Sequence, residues 1–280
     1  MPGASLAIDV SKVHGADQFS QSDSVAVEEP LEIQLCAPSA EDSAAKSISI
    51  TMRTPGDDAE LAVGFLFTEG IITSSSQIAL AVHCGPEAPD AGYRNVIRIE
   101  LNPGVHVDLS RLERHFYTTS SCGVCGKSSL DALRVSGQTP MTNIATKFGR
   151  EMMVQLPDKL RLKQEVFSTT GGLHAAAAFT PDGEITLVRE DVGRHNAVDK
   201  VVGALLKANQ LPAQELGLLV SGRASFELMQ KALVAGFLLL AAVGAPSSLA
   251  VSLAKEFDMT LIGCLRRGNF NIYSHAERLA

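Results

Sequence analysis

Cys122 and Cys125 stand in the run Thr118-Thr119-Ser120-Ser121-Cys122-Gly123-Val124-Cys125-Gly126-Lys127 and carry the sharpest chemical signal of the chain. Two thiols at that spacing can approach one another, and the flanking glycines let the backbone turn. A helix expected from Ser128 and the charge of Lys127 both favour the thiolate, the form that attacks sulfur. The same pair also suits half of a zinc site or two buried thiols. A tetrahedral zinc site wants a second Cys or His pair, and none stands out. A zinc deaminase sets His-x-Glu upstream of its Cys-x-x-Cys and Pro directly before it; this chain has neither.

A second group is Arg189-Glu190-Asp191-Val192-Gly193-Arg194-His195-Asn196, at the end of an expected strand and the start of a helix, where α/β sheets bind ligands. Glu190 and Asp191 are candidates for ligand amino groups, and Arg194 and His195 for phosphate or carbonyl edges. The structural alternative is a buried ion pair between Arg194 and Asp191. Thr169-Thr170-Gly171-Gly172-Leu173-His174 is a third polar loop, whose paired glycines could admit a ligand closely. Two further loops suit an anion, Ser221-Gly222-Arg223-Ala224-Ser225 and Arg266-Arg267-Gly268-Asn269, since free N–H groups at a helix start and an arginine fork both recognise phosphate. Simple capping by Ser225 and a solvated hairpin tip are their structural counterparts. No Gly-x-Ser-x-Gly elbow, Walker loop or His-Glu-x-x-His motif is present.

The elements that must position these groups belong to an ordinary globular chain: 280 residues, 45% hydrophobic, formal net charge -7. The negative charge argues against non-specific binding to nucleic acid or acidic membranes and leaves only local grip on anions. Five cysteines, Cys36, Cys84, Cys122, Cys125 and Cys264, with one close pair do not form a secreted disulfide framework, and the N-terminus lacks signal-peptide features. The longest apolar run, from Ala232 to Ala245, is too short to span a membrane and reads as a buried core helix, then a turn at Pro246-Ser247-Ser248 and a second helix. Residues 1–28 lack either period and read as a flexible tail. Alternation at Leu31–Leu35, Ile48–Met52 and Val96–Leu101, with a carboxylate-capped helix after Asp57-Asp58, makes 29–114 a small α+β domain. From 115 to 280, short apolar runs alternate with helical patterns, including a helix over Asn196–Ala208 and a hairpin over Thr260–Tyr273, as in a layered α/β domain.

Several blocks together resemble one family, the formate dehydrogenase accessory sulfurtransferases of FdhD/NarQ type. They are Glu60–Ile72, Ser121–Lys127, Thr170–His174, Arg189–Lys200, Ser221–Glu227, Ala242–Ala250 and Thr260–Gly268. The Cys-Gly-x-Cys-Gly and Arg-Glu-Asp-x-Gly-Arg-His-Asn-Ala-x-Asp-Lys blocks, in this order, are the specific ones. The resemblance implies a cytidine-deaminase-like α/β core without the deaminase zinc site, carrying a smaller N-terminal α+β domain. It implies a cytoplasmic homodimer, with no metal of its own, that passes sulfur from a cysteine desulfurase to the molybdenum bis(molybdopterin guanine dinucleotide) cofactor of formate dehydrogenase. Cys122 matches the family's persulfide-forming cysteine and Cys125 its partner thiol. Cys264, Leu265, Arg266, Arg267, Gly268 and Asn269 occupy the place of its guanine dinucleotide loop, with Cys264 where an aromatic residue is common. Arg223 or Arg266 is then expected near phosphate, and Asp191, Arg194 and His195 near the pterin. The rival reading is a chaperone that holds the cofactor without covalent sulfur transfer, and a zinc-dependent deaminase is a third.

Overall fold

The computed structural model describes residues 3–37, 45–88, 92–107, 140–141 and 145–280. Two sheets dominate. The smaller is four-stranded, in the order β4 (Lys46–Arg53), β3 (Glu29–Cys36), β6 (Arg94–Leu101), β5 (Ile78–Glu87), with β3 and β6 parallel and the other pairs antiparallel. The expected alternation puts Leu31, Ile33 and Leu35 of β3 and Ile97, Ile99 and Leu101 of β6 into one core. Leu61 and Leu66 of α1 (Asp58–Thr68) close that core from one side. In β4 the alternation holds only as far as Ile48. A bulge against Ile33 and Gln34 shifts the register by one residue, so Ile50 and Met52 turn to solvent and Arg53 turns inward. Asp57 does not cap α1 with its side chain; Asp58 instead holds buried Arg53 through two 3.0 Å bonds.

The larger sheet has six strands in the order β12 (Asn269–Ser274), β11 (Thr260–Arg266), β10 (Leu239–Ala242), β9 (Gly217–Val220), β7 (His174–Phe179), β8 (Ile185–Asp191). Strands β9, β10 and β11 run parallel, and β7 is antiparallel to both β8 and β9. The carboxyl ends of β8 to β11 and the start of β7 therefore meet at one edge. One face is covered by α5 (Arg194–Lys207), α6 (Phe226–Val234) and α7 (Ser248–Glu256). The other is covered by the short helices α2 (Arg150–Met153) and α3 (Leu156–Lys163), which continue into α4 (Glu165–Thr170). The fold is mixed α/β with helices on both faces of the large sheet.

Two expectations are corrected. The apolar run Ala232–Ala245 is not one helix: α6 stops at Val234, Gly236 takes φ +81°, and Leu239–Ala242 becomes a central strand, completely buried. A strand buried on both faces is continuously apolar and lacks the period that would separate it from a buried helix. Nor is the N-terminal segment unpatterned, because β1 (Ser5–His14) and β2 (Asp17–Ala26) pair as an antiparallel ribbon. Its strands are largely exposed on both sides, so no burial period marks them; its base packs on Val166 and Leu173.

Helices α1 and α5 join the two units. Gly64 and Gly203 let their backbones touch, since a Cβ at either would overlap a carbonyl oxygen of the facing helix, that of Asp199 or Glu60. Replacing Gly203 with Ala must therefore push the helices apart, and overpacking of this kind costs about 3 kcal/mol. Urea unfolding of Gly203→Ala is expected to show that loss, whereas Ala substitution at exposed Gly172 is expected to change little.

Candidate functional site

Four of the polar loops singled out in the sequence gather at this edge of the large sheet: those after Asp191, Val220 and Arg266 leave the carboxyl ends of β8, β9 and β11, and Thr169–His174 leads into the start of antiparallel β7. A chain of backbone bonds ties them together: Gly244 N–H donates to Gly222 O at 2.8 Å, and Cys264 N–H donates to Gly244 O at 2.9 Å. Gly244 is required by closeness, since a Cβ there would lie 2.9 Å from Arg223 Cγ. Helices α5, α6 and α7 all begin at this edge. Ser225 and Ser247 cap the latter two by accepting from Leu228 N–H and Ala250 N–H. The edge therefore presents three helix N-termini with Arg194, Arg223, Arg266 and Arg267 around them, a setting that favours anions.

The expected contact residues fall into different environments. Arg223, Arg266, Arg267, Gly268 and Asn269 are exposed, and Arg194 and His195 are half-buried. Arg267 and Gly268 both have positive φ, 53° and 75°, and form the two-residue hairpin turn that joins β11 to β12. Cys264 sits at a β-bulge with φ 55° and places its Sγ 3.8 Å from Tyr273 Oη. Leu265 is corrected: its side chain is fully buried in the core on the α3 face, so only its backbone remains available to a ligand. Cys122 and Cys125 lie outside the described residues.

Asp191 is corrected too. It is completely buried, and Lys200 Nζ, 2.8 Å away, is its ion partner in place of Arg194. Its oxygens also accept from Thr54 N–H, Gly193 N–H and Asn196 Nδ2. Glu190 accepts from Val166 N–H and Phe167 N–H, each at 2.9 Å, and so holds the start of α4. Both carboxylates build the wall. Arg194 and His195 are half-buried; their Nε and Nε2 atoms, themselves buried, have no hydrogen-bond partner among the described residues, and Glu227 Oε2 lies 4.0 Å from His195 Nε2. Burial, then Arg194 and Lys231, push the His195 imidazole down to about 4, so it is neutral at pH 7. Burial and Arg194 also lower His174.

Beside these loops, on the α3 face, lies a pocket of about 460 Å³ between α3, α4 and the ends of β9 and β10. The paired glycines Gly171 and Gly172 stand on its rim, as their loop suggested. Sequence reasoning passed over Arg161, Gln164 and Phe167, which also line it. Leu156 and Leu160 at helical spacing, with Pro157 in the first turn, were the available signal for α3. Among the described residues no group of three His, Cys, Asp or Glu side chains is placed to hold a metal. None of their helices is long and apolar enough to cross a membrane.

Comparison with known proteins follows the same lines. Residues 26–280 match the model of the FdhD/NarQ family. The chain is 50% identical to the sulfur carrier protein FdhD of Streptomyces coelicolor over 273 residues, which cover 97% of this chain and 94% of that one. It is 42% identical to the protein of that name from Saccharolobus solfataricus, covering 97% and 96%. Its fold is similar, with a TM-score of 0.72 and 21% identity over 99% of this chain and 100% of the other, to a crystal structure from Desulfotalea psychrophila described as a formate dehydrogenase accessory protein.

Two outcomes follow from the geometry. Asp191→Asn leaves the Lys200 charge buried without its counter-ion, a change that costs about 3 kcal/mol or more; calorimetry is expected to find the melting temperature several degrees lower. For His195 the folded pKa lies below the unfolded one, so the unfolded state binds the proton first and stability falls as pH drops from about 6.5 to about 4. His195→Gln is expected to flatten this part of a melting temperature profile and to leave values above pH 7 nearly unchanged.

Proposed function

This chain belongs to the FdhD/NarQ family, and from that premise we propose that it is a sulfurtransferase serving formate dehydrogenase. Its substrate is the molybdenum bis(molybdopterin guanine dinucleotide) cofactor. The Cys122 thiolate attacks the sulfane sulfur of a cysteine desulfurase persulfide, forming the Cys122 persulfide and releasing the desulfurase thiolate, by the logic of thiol exchange. Attack of the Cys125 thiolate on Cys122 Sγ then forms a disulfide and expels hydrosulfide to the cofactor. The sulfane sulfur is reduced as the two thiols are oxidised, and a dithiol reductant regenerates them.

The observation that carries this reading is the convergence of three helix N-termini and several arginines at one sheet edge, in a chain whose relatives are named sulfur carriers. Such an edge suits the diphosphates of a dinucleotide, with Arg223, Arg266 and Arg267 as counter-charges and the backbone of Cys264 to Asn269 close to the nucleotide. Arg194 and neutral His195 are available to uncharged or anionic groups beside it. A cytidine-deaminase-like layering, a homodimeric state and a cytoplasmic location belong to the same proposal. A carrier of cofactor alone would use the anion edge and leave Cys122 idle.

Intact-mass measurement after incubation with a desulfurase and cysteine tests the difference. The protein is expected to gain one sulfur, removable by reductant. Cys122→Ala is expected to gain none and to lose activation of formate dehydrogenase, while its melting temperature and cofactor binding stay close to normal. Full activation by Cys122→Ala would leave the cofactor chaperone as the function.

A further inference from the structure

The pocket on the α3 face holds a buried polar group that the fold does not use. Gln164, at the junction of α3 and α4, is 5% exposed and lines the pocket, and its amide nitrogen has no hydrogen-bond partner among the described residues. An unpaired buried donor is costly, and such groups in native proteins call for a reason. The surrounding wall is mostly apolar, with Leu160, Phe167, Leu173 and Val243. Ser221 Oγ accepts from Ala175 N–H at 2.9 Å and retains an O–H to donate. Among the described residues of the lining, Arg161, 3.7 Å from the centroid of the Phe167 ring, is the one Lys, Arg, Asp or Glu side chain, and burial and Arg194 lower the His174 pKa. No carboxylate of the described residues lines it. The pocket therefore suits a flat, uncharged ring with a hydrogen-bonding edge, bearing an anionic substituent that Arg161 can meet. Its volume of about 460 Å³ is that of a small-ligand site.

We propose that this pocket takes a fused heterocycle with a lactam edge, the feature pterins and guanine share, and that Gln164 reads that edge. A primary amide sets a carbonyl beside an N–H, and a lactam does the same in reverse, so the two pair through two hydrogen bonds. Asp191 and Glu190 are engaged within the wall, which leaves the ring of the cofactor in need of another polar partner; Gln164 supplies it. The identity of the ligand rests on the proposed function, whereas the pocket and its unpaired amide do not.

The test uses the full chain and fluorescent pterin-6-carboxylate, followed by anisotropy, with GDP as competitor and as a separate calorimetric ligand. The protein contains no Trp, so the pterin emission stands clear. Gln164→Met keeps the length of the side chain and removes both polar atoms. Loss of two hydrogen bonds is expected to weaken ring binding about tenfold, with the melting temperature unchanged or raised because an unpaired donor has gone. Should that variant fail to fold, Gly172→Leu fills the rim from an exposed position of ordinary φ and is expected to block entry. Pterin binding sensitive to either variant supports the proposal with a pterin source; GDP binding with the same sensitivity, in the absence of pterin binding, supports it with guanine. Binding of neither, or affinities indifferent to the folded variant, overturns it. The Cys122 persulfide assay is independent: ring binding without a persulfide removes the sulfur transfer and keeps the pocket, and a persulfide without ring binding does the reverse.

Discussion

The ion pair between Lys200 and Asp191, 2.8 Å long with both side chains fully buried, is the interaction around which the rest is arranged. Two charges withdrawn from water persist only when every remaining valence is met. Asp191 has three further donors, and Lys200 gives its other hydrogens to Thr54 O at 3.0 Å and Glu190 O at 3.3 Å. These partners come from three places in the chain: the exit of β4, the end of β8 and the first turn of α5. The pair thus fixes where the small unit leaves its sheet and where α5 begins. Arg194 and His195, six and five residues before Lys200 in the same helix, owe their position at the site edge to it.

The same surface between the units carries two more charged ties. Arg189 forks onto Glu60, with Nη2 to Oε1 at 2.9 Å and Asp57 nearby. Lys231 of α6 reaches Asp199 at 2.9 Å, Thr68 at 2.8 Å and Glu69 at 3.2 Å. Burial outweighs the pull of Lys231 and Thr68 towards ionisation and leaves the Asp199 carboxyl raised to about 6. With Gly64 and Gly203 holding the helix backbones in contact, Lys231, Asp199 and Thr68 are buried and satisfy one another, while Arg189, Asp57 and Glu69 keep partial contact with solvent. Alignment at such a surface is set by hydrogen-bond geometry as much as by apolar area, which suits a unit whose function needs a fixed edge.

At that edge the large sheet divides two kinds of surface. Towards α5, α6 and α7 stand helix N-termini and arginines, suited to charge. Towards α3 and α4 stands a mostly apolar pocket with an amide, that of Gln164, whose nitrogen has no partner among the described residues, suited to a ring. A dinucleotide cofactor has both kinds of group, and the loops Gly222, Gly244 and Cys264, tied by their backbones, form the boundary between them.

Much of this was legible without coordinates. Periodicity located α5, with Val198, Val201, Val202, Leu205 and Leu206 all buried, and the strand pair β11–β12. Strand-end loops rich in Gly, Ser and Arg marked the site edge, since those residue types satisfy caps and anions wherever a βα unit turns. Short-range rules failed where the answer lay across the fold. Leu239–Ala242 has no period because both its faces are covered; Ile50 changes face because of a bulge set by its neighbour strand. Asp191 carries the same side chain whether it faces a ligand or a lysine, and only the arrival of Lys200 and the Thr54 backbone decided that it faces inward. The sequence by itself determined which residue types stand at the strand ends and hence the chemistry on offer. Tertiary structure decided which of those groups are neutralised by one another and which, like Gln164 and Arg194, keep an atom without a partner among the described residues, because pairing depends on distances between segments far apart in the chain.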